Sequence, residues 1–227
     1  MSLLGSSTND SLLSVFENQL SFNSMRVALS ESEREAIDIE DDVLATLLNP
    51  NGAIQIDNYL FFIDVENDHA LVYDLESESE DPLEFTTGVS FFDYLDGVEN
   101  RYSTFCDAKN KLNDVIVGDL EIDSKVVYQH ALIYFSLQSK IKKNRNEGYY
   151  NLKLSSSNDS YYYKKGSTTC YDISNHTEGP GYDRSYHYRA YSGVKRCTGF
   201  RFIVTFSVYR NLFDYEEWTL RIDCGAN

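Results

Sequence analysis

Between Phe200 and Tyr209 the chain reads FRFIVTFSVY, and no other stretch limits the fold so tightly. Phe200, Phe202, Val204, Phe206 and Val208 share one face, while Arg201, Thr205 and Ser207 share the other. Period-two alternation in aromatic and β-branched residues predicts a half-buried antiparallel strand, apolar inward and polar outward. The pattern recurs elsewhere beyond Lys125. Ala131, Ile133, Phe135, Leu137 and Ile141 alternate against His130, Tyr134 and Gln138, and Trp218, Leu220 and Ile222 alternate against Thr219 and Arg221. About seven short strands at such spacing predict an antiparallel β-sandwich rather than a parallel sheet.

The front of the chain is built differently. Leu12, Leu13, Phe16 and Leu20 recur at helical spacing behind Asn9 and Asp10, both N-cap types. Ser30-Glu31-Ser32-Glu33 offers a capping box, and Asp41-Asp42 precede the apolar turns of Val43, Leu44, Leu47 and Leu48. Asn49-Pro50-Asn51-Gly52 ends that helix. Ala53–Ile56 and Tyr59–Ile63 then flank Asp57-Asn58 as a tight hairpin, with a third strand over Ala70–Leu75. Glu76–Pro82 is a charged linker candidate, Phe85–Leu95 fits either a short helix or a strand, and Tyr102–Leu112 is read as helix. The expected class is therefore α+β: a helical and meander part over 1–123, then a β-sandwich over 124–227.

Charge follows the same division. Residues 1–123 hold 27 acids and 5 bases, net −22, while residues 124–227 hold 9 acids and 15 bases, net +6. Such a dipole implies either that the front docks on the back or that each half meets its own partner; docking is the simpler expectation. The overall charge of −16 disfavours nucleic acid and anionic membrane as primary partners. No apolar run is long enough to span a bilayer. Met1–Gly5 is too short and uncharged for a secretory signal, so an exported form is expected to have lost its signal.

Cys106, Cys170, Cys197 and Cys224 fit no zinc spacing and allow three complete disulfide pairings. An even count, few lysines and the sequence Asn175-His176-Thr177 suit an oxidising compartment, with Cys170–Cys197 the expected bridge.

LLNPNGAIQIDNYLFFI at Leu47–Ile63 resembles a phrase of exported Bacteroidota proteins, LLN-x-[DN]-G-x-[IV]-Q-[IV]-G-[DN]-x-[IL]-Y, in which a short helix ends and a hairpin leads into a β domain. LIYFSLQSKIKKNRNEGYYNLKL at Leu132–Leu154 is similar to the downstream segment of the same proteins. The two blocks cover about forty residues, less than a fifth of the chain, and Asp57 stands where the phrase has Gly. The resemblance implies secretion or surface display and a non-enzymatic role, and it brings no active site with it.

No phosphate loop, GxSxG or HExxH pattern occurs. Cys106 with His130 has no nucleophile signature, and the cysteine lies in acidic surroundings that oppose a thiolate. His176, Glu178, Asp183 and His187 crowd one region without a metal-binding spacing, and Asp64–Asp68 lacks the glycine and terminal glutamate of a calcium loop. The expectation is a non-enzyme with no catalytic residue, no metal site and no cofactor. What stands out is the aromatic and basic run Tyr182, Tyr186, Tyr188, Arg189 and Tyr191, beside Tyr161–Tyr163 and Lys164-Lys165. Tyrosine suits protein hot spots and sugar stacking, and it is also a good strand residue. The expected function is an exported interaction or structural protein that engages a protein partner, or other copies of itself, through this surface. A carbohydrate-binding module is the alternative.

Overall fold

The computed structural model describes residues 10–79, 81–97, 109–144, 150–173, 177–181, 184–210 and 215–225, with the side chains of 10, 11 and 177–181 left undescribed. Its five described helices are short and all precede residue 96: α1 (Asp10–Glu17), α2 (Met25–Ala28), α3 (Glu31–Ala36), α4 (Asp42–Leu47) and α5 (Phe91–Leu95). Side-chain caps start four of them. Ser24 accepts from the Val27 amide, Ser30 and Glu33 form the expected capping box, Asp41 accepts from Val43, and Ser90 accepts from Asp93.

The first sheet is an antiparallel meander of β1 (Ala53–Ile56), β2 (Tyr59–Asp64), β3 (His69–Asp74) and β4 (Leu83–Phe85), in that order. Asp57 turns the first hairpin at a φ of 51°, so an aspartate takes the left-handed conformation that the resembled phrase gives to glycine. Glu76–Pro82 joins two paired strands and is a hairpin loop, not an interdomain linker. Phe85–Leu95 holds both expected elements, the end of β4 and all of α5.

The remaining strands are β5 (Lys109–Val117), β6 (Leu120–His130), β7 (Phe135–Lys143), β8 (Asn151–Ser156), β9 (Tyr161–Lys164) and β10 (Cys170–Asp172). After them come β11 (Thr177–Gly181), β12 (Ser185–Gly193), β13 (Cys197–Tyr209) and β14 (Tyr215–Cys224). One sheet runs β12-β7-β6-β5; another runs β10-β9-β13-β8-β11, with β14 on the far side of β13. Lys109–Leu112, read as helix from sequence, is strand, because its residues ladder against β6. The charge boundary at 123/124 falls inside β6, so it does not divide the fold. The architecture is β-rich and antiparallel.

A single apolar cluster joins these two sheets. Ile122, Val126, Phe135, Leu137 and Ile141 come from one; Leu152, Leu154, Phe200, Phe202, Val204 and Phe206 come from the other. A second cluster joins the helices, the meander and the β6–β7 turn: Leu44, Leu48, Phe61, Val72, Phe91 and Ala131–Tyr134. Ala131 and Ile133, expected to lie in one strand with Phe135, therefore sit in a turn at the edge of the other core; Leu132, at φ 56°, makes that turn.

Cys170 is an exposed free thiol and Cys197 a buried one, so the expected bridge between them does not form. They lie on separate strands, with Cys170 opposite Tyr163 and Cys197 opposite Lys164. Cys224, at the end of β14, is disulfide-bonded.

Candidate functional site

The run expected to form a binding surface is mostly interior. Tyr188, Arg189 and Tyr191 on β12 are 7, 6 and 7% exposed, and Tyr186 is half-buried against the larger apolar cluster. Tyr182 lies outside the described residues. Alternation explains the error. Tyr186 and Tyr188 stand opposite Ile141 and Ser139 and face the core between the sheets, and a bulge between Arg189 and Tyr191 returns Tyr191 to the same side. His187 and Arg189 point the other way, but that face is covered as well, by α3 and α4.

This covering is electrostatic. Asp41, fully buried, accepts from Arg189 Nη2 at 2.8 Å, Arg189 Nε at 3.1 Å, Ser136 Oγ at 2.5 Å and Tyr134 OH at 3.1 Å. Burial alone would raise its pKa, yet Arg189 and these hydrogen bonds hold it below the usual carboxylate range. Lys125 donates to both Glu35 and Glu40 at 2.5 Å, and Lys140 and Lys142 both reach Glu31. Lys109 pairs with Asp38 and Lys111 with Glu40. His187 Nε2 donates to Gln138 Oε1 at 2.5 Å; burial, reinforced by Arg189, brings its pKa down to about 4. Part of the charge dipole read from the sequence is thus neutralised within the molecule.

What faces solvent is the outer side of the sheet built on β13. Register places Tyr161 and Tyr163 of β9, Arg201, Thr205, Ser207 and Tyr209 of β13, and Tyr215, Glu217, Thr219, Arg221 and Asp223 of β14 on one face. Tyr161 and Tyr163 meet edge to face at 5.7 Å, and the Arg201 guanidinium lies 5.7 Å from the Tyr161 ring. Asp223 accepts from Arg201 Nε at 3.1 Å and from Arg221 Nη2 at 3.0 Å. Slight burial opposes ionisation of Asp223, but the two arginines prevail and lower its pKa. Ser207 and Tyr215 both donate to Glu217, at 3.0 and 2.6 Å. Such a surface can stack on flat groups and exchange hydrogen bonds; it presents no activated nucleophile.

On the other side of the same edge, Tyr162 and Tyr171 stack at 5.0 Å with an interplanar angle of 12°. Lys164 Nζ lies 4.5 Å from the Tyr171 centroid, 5.3 Å from Tyr191 and 5.8 Å from Tyr162. Cys197 beneath it is pushed up to about 12 by burial, so it stays a thiol at neutral pH. Cys106, His176 and Asp183 lie outside the described residues, and the side chain of Glu178 is undescribed. His130 hydrogen-bonds Thr87 Oγ1 at 3.0 Å, with a pKa lowered by burial. Among the described residues no three His, Cys, Asp or Glu side chains are grouped to hold a metal, and no helix is long and apolar enough to cross a membrane.

Sequence reasoning singled out Tyr161–Tyr163 and placed Arg201, Thr205 and Ser207 on the polar face of β13, but it did not join them. The missing signal was pairing: only the register of β9 and β14 on β13 brings Tyr161, Arg221 and Asp223 beside Arg201. Compared with protein-family models, with curated proteins and with solved structures, the chain finds no match.

Proposed function

We propose that this chain is an exported or cell-surface protein without catalytic activity, which binds a partner protein through the outer face of β9, β13 and β14. In this reading the two sheets sharing the larger apolar cluster are the layers of a β-sandwich, and the face turned away from that cluster is the working surface. One observation carries the proposal. Tyr161, Tyr163, Arg201 and Arg221 form a contiguous patch of aromatic rings and Asp223-paired guanidinium groups across β9, β13 and β14. Tyrosine and arginine on a rigid support are the residues most often found to dominate protein interfaces. Export is supported by the resemblance of the Leu47–Ile63 hairpin phrase.

The test is capture from a cell-envelope extract by immobilised protein, with Tyr161→Ser/Arg201→Ser as the matched control. The double variant is expected to fold normally and to lose the captured species. Equal capture by both forms contradicts the proposal. A glycan is the second reading, favoured by the polar groups of Asp223 and Arg221 beside the Tyr161 ring, since sugars need stacking and hydrogen bonding together. A glycan array separates the two: a binder abolished by Tyr161→Ser supports the glycan reading, and an array without binders removes it.

A further inference from the structure

Among the described residues, the helices and the β6–β7 turn pack on one side of the meander sheet. Phe61, Ile63, Ala70 and Val72 point into that core. On the opposite side, Leu60 stands across from Tyr73 and Phe62 from Leu71, and the Phe62 and Tyr73 rings meet edge to face at 5.9 Å. None of these four side chains belongs to either apolar cluster, and Phe62 is 39% exposed. Single exposed apolar residues are ordinary, but four neighbours on one sheet face, Phe62 exposed and Leu60, Leu71 and Tyr73 half-buried, form a patch of the kind that marks an interface.

Charge says what covers it. Residues 35–100 contain 18 Asp and Glu and not one Lys or Arg. Glu35, Asp38, Glu40, Asp41 and Asp42 are consumed by ion pairs to basic side chains. Asp64 and Glu84 share the Phe62 face by register, and Asp57, Glu66 and Asp74 stand at the strand ends; among the described residues none of these five has a cationic partner.

The geometry points to the outer face of the meander as a docking surface for a cationic segment of another protein, its apolar residues on Phe62 and Tyr73 and its lysines or arginines on the surrounding carboxylates. A second copy of this chain is the poorer match, because Arg201 and Arg221 on its exposed sheet face are already paired with Asp223. This surface is separate from the one proposed above and does not depend on it.

The test uses a fluorescent synthetic peptide alternating lysine and leucine, with a glutamate-leucine peptide as its counterpart, read by anisotropy on the full chain. The lysine peptide is expected to bind and the glutamate peptide not. Phe62→Ser/Tyr73→Ser should weaken binding by about tenfold without altering charge, and Asp64→Asn/Glu84→Gln by a similar factor. Asp114→Asn/Asp159→Asn removes two charges elsewhere and should change it by less than about twofold. Circular dichroism checks that each variant melts as the parent does. Equal weakening by the distant control, or none from Phe62→Ser/Tyr73→Ser, overturns the proposal. So does light scattering that shows a dimer abolished by Phe62→Ser, which would make the occupant a second copy.

Discussion

Asp41 caps α4 and, from the same carboxylate, ties that helix to Arg189 on β12, with both side chains inaccessible to water. Removing one member of a buried, hydrogen-bonded pair strands the other charge, so Asp41→Ala should cost about 3–5 kcal/mol in urea unfolding at neutral pH. Arg189→Ala should cost a similar amount, and the double variant should cost less than the sum, the signature of direct coupling. Acid should act in two stages. His187 falls from 6.5 to about 4 on folding, so the unfolded chain takes the proton first and stability declines as pH drops from 6.5 toward 4. The depressed carboxylates of Asp41, Glu31 and Glu40 contribute stability above their unfolded values, and it is lost only at lower pH, as they protonate in the folded state. Thermal melts across this range check both stages, and His187→Gln should shrink the first, leaving the share of buried His130, without changing the second.

At the scale of elements, β13 was legible because its two faces meet different surroundings, core on one side and water on the other. Phe202, fully buried from that strand, should lose about 3–5 kcal/mol as Ala, measured by chemical denaturation. β14 was legible for the same reason. β12 and β7 were legible as strands but the setting of their polar faces was not, because both faces are covered: Arg189, Gln138 and Ser136 look like solvent-facing residues in sequence but are the polar floor under α3 and α4. A polar alternation marks a face that is not apolar, and it does not say whether water or a charged neighbour fills it. The stop at Pro50-Asn51-Gly52 was legible from turn chemistry. Gly52 has a φ of 74°, and an added Cβ would lie 2.5 Å from the Ile63 carbonyl oxygen, so Gly52→Ala should destabilise by at least about 1 kcal/mol in the same assay.

For the whole molecule, the account joins one sequence observation to one placement. The acidic front and basic back are held together by ion pairs that cross from α3 and the residues just before α4 to β6, β7 and β12. That docking covers Arg189, the packing of the two sheets covers Tyr188 and Tyr191, and the outer face of β9, β13 and β14 stays open as the proposed binding surface. Chemical modification of tyrosine on the native protein, mapped residue by residue by mass spectrometry, tests this most directly. Tyr161, Tyr163 and Tyr215 should react early, and Tyr188 and Tyr191 only on unfolding. Reaction of Tyr188 and Tyr191 at the rate of Tyr215 would show the core between the two sheets open to solvent, contradicting the account at its centre.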